Sequence, residues 1–319
     1  MIISASRRTD IPAFYSEWFM ERIKAGFVDV LNPFNRKQVS RVSLSPEDVD
    51  CLVFWTKDAA PMLPYLDQLA AYAYYFQFTV TSYQQDVEPG LRPKREIIRT
   101  FQELSRRIGR ERVVWRYDPI LLNDRYTVAY HLRWFEQFLG ELAPYTDCCV
   151  ISFLDLYRKT ERNTRPLQLH EMTPEKMVEL AEGISWLARN SGVTIQSCSE
   201  ELDLDAYGIQ HGACIDKARI ETVLGGTVDI RKDPTQRQVC GCMKSVDIGQ
   251  YNTCRHLCRY CYANFNGDMA RACYDQHDVN ASILTGRLQG DEVITRRKVE
   301  HLHPQVPAEE LTLPGMDLL

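Results

Sequence analysis

Three cysteines close to the C-terminus form the residue pattern with the most specific chemistry. Cys254, Cys258 and Cys261 are spaced C-x3-C-x2-C, and Tyr260 stands directly before the third cysteine. Three thiolates on one short loop can bind three irons of a [4Fe–4S] cluster, which normally takes four protein sulfurs. The fourth iron would then stay open to a ligand from solution. The spacing therefore predicts a catalytic cluster at this loop.

Two other metal sites fit the same three cysteines. A structural zinc site would need a fourth ligand, for which His256 and Cys273 are the nearby candidates. A cluster that only transfers electrons would need a fourth cysteine. Both alternatives stay open at the level of the sequence.

Four further cysteines suggest a second site. Cys198, Cys214, Cys240 and Cys242 would suit a closed all-thiolate site, either an auxiliary [4Fe–4S] cluster or structural zinc. Gly241 lets the chain bend between the last two. The alternative is a set of separate buried thiols, because free cysteine is among the most buried residue types. Three other cysteines lie within apolar runs and are expected in the core: Cys51, Cys148 and Cys149.

Composition restricts the class of protein. The 319 residues are 45% hydrophobic and 25% charged, which is an ordinary globular balance. The net charge of −5 weighs against a general nucleic-acid-binding surface. No apolar run is long enough to cross a membrane, and the N-terminus does not read as a signal peptide. Eleven cysteines without an export signal are expected to be reduced thiols or metal ligands, so a cytoplasmic location is expected.

Short apolar runs alternate with helical patterns over the first 200 residues. This alternation predicts an α/β fold with a parallel sheet, either a full or partial (β/α) barrel of the TIM type or an open doubly wound sheet. The predicted strands cover residues 2–3, 27–31, 51–54, 74–80, 113–115, 148–153 and 193–196. The predicted helices lie around residues 97–108, 128–139 and 174–190.

Polar residues follow nearly every predicted strand. In a parallel barrel all these strand ends meet at one face, where the active site lies. That convergence favours the barrel and gives the candidate catalytic residues Arg7, Arg8, Asp10, Lys57, Arg116 and Asp118. It also gives three candidate cofactor-binding residues, Asn32, Asn35 and Glu200.

Three segments divide the chain. Residues 1–200 are expected to form the barrel body, and residues 201–289 a cysteine-rich extension that carries the iron–sulfur motif over the barrel mouth. Residues 290–319 contain several prolines and are expected to form an irregular tail.

The cysteine loop resembles the signature of radical S-adenosylmethionine (SAM) enzymes, including the aromatic residue before the third cysteine. Its position after the last predicted strand is unusual, because in most of that superfamily the motif follows the first strand. The whole chain is also similar to an uncharacterised bacterial family with a C-terminal cysteine cluster. That similarity rests on Ser-Arg-Arg-Thr-Asp-Ile-Pro at 6–12, Asn-Pro-Phe-Asn at 32–35 and Phe-Trp-Thr-Lys at 54–57.

The first resemblance implies a cofactor and a reaction. SAM would bind the open iron and be cleaved to a 5′-deoxyadenosyl radical, with an electron from a donor such as a flavodoxin or ferredoxin. Its carboxylate would need a cation, and Arg7, Arg8, Lys57 and Arg116 are candidates. Its ribose would need acceptors, for which Asp10, Asp118 and Glu200 are candidates. Asn32 and Asn35 could bond either end, and Tyr260 belongs to the cysteine motif.

The sequence is also compatible with a function other than that of a radical enzyme. The chain could be a non-catalytic or hydrolytic barrel protein whose cysteines bind structural zinc. The substrate of either protein is not encoded in any motif.

Overall fold

A parallel sheet of eight strands organises the chain. The computed structural model describes residues 1–155 and 158–305. Its strands are β1 (Ile2–Ala5), β2 (Phe27–Asn32), β3 (Asn35–Ser43), β4 (Cys51–Thr56), β5 (Tyr74–Thr79), β6 (Val113–Ile120), β7 (Cys148–Phe153), β8 (Thr194–Cys198), β9 (Gln210–Gly212), β10 (Thr227–Asp229), β11 (Val246–Asp247), β12 (Val293–Arg296) and β13 (His303–Gln305). The large sheet has the order β11-β1-β4-β5-β6-β7-β8-β9, and each of its pairs is parallel.

Helices connect most of the strands of this sheet. They are α1 (Ile11–Phe14), α2 (Ser16–Ala25), α3 (Lys94–Ile108), α4 (Val128–Leu142), α5 (Arg158–Thr164), α6 (Pro174–Ala188), α7 (Lys217–Leu224) and α8 (Gly267–Tyr274). None of the helices in the described part of the chain is long and apolar enough to cross a membrane.

Local sequence explains where the main helices begin and end. In α3, Ile97, Phe101 and Leu104 recur at helical spacing and are buried. The helix ends at Gly109, whose φ of 95° suits a residue without a Cβ. The Thr127 side chain accepts a hydrogen bond from the Tyr130 amide and so caps the start of α4.

The sheet buries apolar side chains on both faces. On one face Phe54, Phe76 and Trp115 pack in a large core with α2, α3, α4 and α6. On the other face Val53 and Val114 pack in a smaller core with α7 and the segment that follows β9. Burial on both faces explains why these strands are short continuous apolar runs rather than alternating ones.

Both edge strands of the sheet come from the expected extension. β11 pairs with β1, and β9 pairs with β8. No ladder joins β11 to β9 within residues 1–155 and 158–305. The fold is therefore a mixed α/β structure with an eight-stranded parallel sheet, and the expected boundary at residue 200 cuts through that sheet.

The second predicted strand does not belong to the parallel sheet, which corrects the expected alternation. β2 pairs antiparallel with β3, and β12 adds to β3 in a separate three-stranded sheet. Asn-Pro-Phe-Asn at 32–35 forms the tight turn of this hairpin, with the Asn32 Oδ1 accepting from the Phe34 amide at 2.9 Å. The turn places Asn32 and Asn35 at the tip of a hairpin rather than at the strand ends of the large sheet.

The expected irregular tail also differs in part. Residues 293–296 form β12, and residues 303–305 form β13, which pairs with β10. The remaining residues, 306–319, lie outside the described part of the chain.

Candidate functional site

A cavity of about 860 Å³ lies at the carboxyl ends of the parallel strands. Residues at or just beyond the ends of all eight strands of the large sheet contribute to its wall, as the rule for parallel sheets requires. The cysteine loop covers the same opening. Seven of the eleven cysteines line the cavity: Cys198, Cys214, Cys240, Cys242, Cys254, Cys258 and Cys261.

The first three predicted metal ligands share a tightly wound loop. Asn252 and Leu257 adopt positive φ values of 58° and 55°, which turn the chain sharply around the motif. The His256 amide donates to the Cys254 sulfur, and the Ala263 amide donates to Cys261 Sγ at 3.4 Å. Burial raises the pKa of the Cys258 thiol to about 12. Amide donors aimed at buried sulfurs are also found in iron–sulfur sites.

A buried ion network supports the loop from behind. Glu88 accepts from Lys57 Nζ at 2.8 Å, from Lys94 Nζ at 2.5 Å and from Thr81 Oγ1 at 2.8 Å. The Tyr260 hydroxyl donates to the same carboxylate. Burial alone would raise the pKa of Glu88. The attraction of the two lysines is stronger, so the pKa of Glu88 lies below its ordinary value. Glu88 thus fixes both Lys57 and the aromatic residue of the cysteine motif.

Asp10 and His256 form a second buried pair beside the cysteines. His256 Nε2 lies 2.8 Å from Asp10 Oδ2, and both side chains are almost fully buried. Asp10 also accepts from the Lys57 amide at 2.7 Å and caps α1 by accepting from the Ala13 amide at 2.9 Å. Asp10 therefore holds three segments together. His256 Nδ1 is buried and has no partner in the described part of the chain.

Arg116 and Asp118 form an ion pair at the end of β6. Arg116 donates from Nη2 to Asp118 Oδ2 at 2.6 Å and from Nη1 to Gln77 Oε1 at 3.1 Å. Asp118 also accepts from the Ser152 hydroxyl. Burial alone would lower the pKa of Arg116. The attraction of Asp118 is stronger, so the pKa of Arg116 lies above its ordinary value. Both side chains are thus already engaged with protein partners.

The two arginines after β1 are held through Asp247. This carboxylate accepts from the Ser6 hydroxyl at 2.7 Å and from the Arg7 amide at 2.8 Å. Arg8 Nε lies 3.9 Å from Asp247. The Arg7 guanidinium lies over the Trp55 ring at 5.8 Å, and within residues 1–155 and 158–305 it makes no hydrogen bond. Within the described residues, the Arg7 guanidinium therefore keeps its hydrogen-bond donors available.

The second cysteine set is also brought together. Cys198 Sγ and Cys214 Sγ lie 3.3 Å apart, and hydrogen bonds link Cys214 to Cys242 and Cys242 to Cys240. The bond from Cys242 lowers the pKa of Cys240 to about 6. As the side chains stand, no group of three or more histidine, cysteine, aspartate or glutamate residues in the described ranges is arranged to hold a metal ion.

Most of the predicted site residues line the cavity: Arg7, Arg8, Asp10, Lys57, Arg116, Asp118, Tyr260 and all seven cysteines of the two sets. Three do not. Asn32 and Asn35 lie in the β2–β3 hairpin, and Glu200 lies behind the wall, where it accepts from the Phe153 amide at 2.8 Å and burial raises its pKa to about 7. The expected core positions of Cys51, Cys148 and Cys149 are confirmed, since all three are buried.

Sequence reasoning missed Glu88 and Asp247. Glu88 follows a loop after β5, and no spacing marks it as a partner of two lysines. Asp247 lies in β11, a strand of only two residues that has no apolar run. Cys273, the other candidate fourth ligand besides His256, is not among the residues that line the cavity.

Comparisons with known proteins give a family but no activity. The chain belongs to the family defined by the domain of unknown function DUF1848, whose model matches residues 2–263. No curated protein matches it. A solved structure from Bacteroides thetaiotaomicron VPI-5482, provisionally assigned as an alpha-L-fucosidase, is similar at 10% identity and a TM-score of 0.23. That similarity covers 51% of this chain and 68% of the other, and it is too low to carry an argument.

Proposed function

We propose that this protein is a radical SAM-type enzyme. Cys254, Cys258 and Cys261 would hold a [4Fe–4S] cluster whose fourth iron binds SAM. When reduced by an external electron donor, such a cluster would pass one electron to SAM, whose carbon–sulfur bond would break to give methionine and a 5′-deoxyadenosyl radical.

One observation carries the proposal. All three cysteines of the motif line the cavity at the carboxyl ends of the parallel strands. This is the face on which parallel α/β folds place their active sites. The late position of the motif in the chain is compatible with this role, because the loop reaches the same face as the ends of the early strands. A sheet curved into a partial barrel would enclose such a site.

Arg7 is the residue best placed to bind an anionic group of SAM. Lys57 and Arg116 are held by Glu88 and Asp118, whereas the Arg7 guanidinium lies over the face of Trp55 and makes no hydrogen bond within the described residues. A guanidinium with free donors binds a carboxylate through two parallel hydrogen bonds. Asp10 and Asp118 are already engaged, so we assign them positioning roles rather than contacts to the ribose.

The cavity has room for SAM and a second small molecule. Its volume of about 860 Å³ lies in the upper part of the range for small-molecule sites. Aromatic residues in the wall, including Trp55 and Tyr262, would exclude water from a reactive intermediate. The proposal also requires a one-electron donor such as a flavodoxin or ferredoxin and fits a reducing, cytoplasmic setting.

The cleavage of SAM by the reconstituted protein tests the proposal. Anaerobically reconstituted wild-type protein with dithionite and SAM should release 5′-deoxyadenosine and methionine. The Cys258→Ala variant should release neither, while the Cys273→Ala variant, changed outside the cavity, should match the wild type. Equal cleavage by Cys258→Ala and wild type would contradict the proposal.

A further inference from the structure

The four other cysteines that line the cavity have no role in the proposed reaction. We propose that Cys198, Cys214, Cys240 and Cys242 bind a single Zn²⁺ ion in a closed, all-thiolate site. This inference does not depend on the radical SAM proposal, because the two cysteine sets share no residue.

The four thiols already form a ring of contacts. Cys198 Sγ lies 3.3 Å from Cys214 Sγ, and hydrogen bonds continue from Cys214 to Cys242 and on to Cys240. The hydroxyl of Ser199 closes the ring, since it lies 3.9 Å from Cys198 Sγ and also bonds Cys240. Four thiols from three separate segments seldom meet by chance, so the fold has brought them to one place.

The closeness of the sulfurs distinguishes one ion from a cluster. Each thiolate of a [4Fe–4S] cluster binds a different iron, so its sulfurs stand apart around the cluster. A tetrahedral zinc site with bonds of about 2.3 Å places its sulfurs about 3.8 Å from one another. The distance of 3.3 Å between Cys198 and Cys214 is close to the second arrangement. This spacing favours a single ion over a cluster.

The backbone that carries the thiols is firmly placed. The carbonyl of Cys214 accepts from the Tyr75 hydroxyl at 2.7 Å and from Gln77 Nε2 at 2.9 Å. The Cys240 amide donates to the Arg237 carbonyl, and the Met243 amide donates to the Ile215 carbonyl, both at 2.9 Å. These bonds hold the backbone, so we infer that binding proceeds by rotation of the thiols about their Cα–Cβ bonds. Such rotation is needed because the thiols as they stand do not surround a common point.

A neighbouring cation offsets the charge of the proposed site. Zn²⁺ with four thiolates carries two negative charges, and the thiols that are still protonated release their protons when they bind the ion. Arg116 Nη1 donates to Cys214 Sγ at 3.2 Å and lies almost fully buried beside the site. A hydrogen bond from a guanidinium stabilises a thiolate ligand. Arg116 would therefore act as a positioning residue that links the ion to the wall of the cavity.

A zinc ion at this place would join the end of the sheet to the cavity wall. Cys198 ends β8, Cys214 follows β9, and Cys240 and Cys242 belong to the loop that covers that edge. With all four ligands supplied by the protein, the ion has no open position and serves structure rather than catalysis.

Metal analysis of the whole protein tests the inference. Zinc in the wild-type protein should be one equivalent per chain. The double variant Cys240→Ser/Cys242→Ser should lose it, and the control Cys273→Ser should keep it. The Cys258→Ala variant should also keep its zinc while it loses iron, which separates this inference from the proposed function.

A spectrum of the wild-type protein covers the case in which the double variant does not fold. Cobalt exchanged into the wild type should give the thiolate-to-cobalt absorption and the tetrahedral visible bands of a four-sulfur site. A wild-type protein without zinc or cobalt binding would overturn the inference, as would a disulfide between Cys198 and Cys214 in freshly reduced and re-purified protein. Iron lost in the double variant, in place of zinc, would overturn it in favour of a second cluster.

Discussion

At the scale of single residues, Glu88 is the side chain on which the support of the cysteine loop depends. It is fully buried and pairs with Lys57 and Lys94 at the same time. A complete group of buried opposite charges adds little to the free energy of unfolding, because each charge must leave water. Removal of one member is costly, because it leaves unpaired charge in the interior.

Replacing Glu88 with glutamine should therefore destabilise the fold. We expect a loss of about 3 kcal/mol in the free energy of unfolding, because two partly buried lysines keep their charge and lose the carboxylate that pairs with both. Urea unfolding followed by circular dichroism measures this change. The control Glu96→Gln removes a half-exposed carboxylate that pairs with Arg92 and should change little. Equal effects of the two variants would show that the lysines find other partners.

At the scale of elements, the cysteine loop is held by close packing against the loop that precedes α3. The Gly90 amide donates to the His256 carbonyl at 2.9 Å. A Cβ on Gly90 would lie 2.3 Å from the Arg255 carbonyl oxygen and 2.8 Å from His256 Cα. These contacts are with backbone, which cannot move aside without moving the loop between Cys254 and Cys258.

The Gly90→Ala variant should consequently bind less iron than the wild type after anaerobic reconstitution. Gly140→Ala is its matched control, because a Cβ there meets nothing within 4 Å and alanine favours the helix α4. Iron and sulfide assays on both variants give the comparison. If Gly90→Ala binds iron as fully as Gly140→Ala, the packing of these two loops does not position the ligands.

The packing of α4 on the sheet depends on an uncharged histidine. His131 Nε2 donates to the Leu121 carbonyl at 2.8 Å, and Nδ1 accepts from the Tyr117 hydroxyl at 2.8 Å. Burial lowers the pKa of His131 to about 4. Since an unfolded histidine has a pKa near 6.5, the unfolded state takes up the proton first as the pH falls.

The fold should therefore lose stability as the pH falls from about 6.5 to about 4, by roughly 3 kcal/mol for this group alone. Above pH 7 its contribution is complete and constant. Unfolding measured across this range for wild type and His131→Gln isolates the effect, because the variant lacks the group. Parallel pH profiles for the two proteins would contradict the assignment of a neutral His131.

At the scale of the whole molecule, the extension after residue 200 is part of the sheet. It supplies β9 and β11, the two edge strands, and the side chains of α7 in the second core. A fragment of residues 1–200 should lack cooperative unfolding and should aggregate, because it exposes one face of the sheet and two strand edges. Calorimetry and light scattering would show this. A fragment with a sharp unfolding transition would restore the boundary at residue 200.

The parallel sheet also explains which parts of the fold and of the site could be predicted from the sequence. Continuous apolar runs gave β4 to β8 because burial on both faces leaves a strong local signal. Convergence at one face followed from parallel strands, and it brought Arg7, Lys57 and Arg116 to the cavity. β9 and β11 were missed because strands of two or three residues have no periodicity. The hairpin of β2 and β3 was missed because a tight turn was interpreted as the end of a parallel strand.

Electron paramagnetic resonance of the reduced, reconstituted protein tests the central claim most directly. The account predicts a [4Fe–4S] signal from the cluster at Cys254, Cys258 and Cys261, and a change in that signal when SAM is added, because the fourth iron gains a ligand. A cluster signal that SAM leaves unchanged, or zinc at these three cysteines in place of iron, would contradict the account.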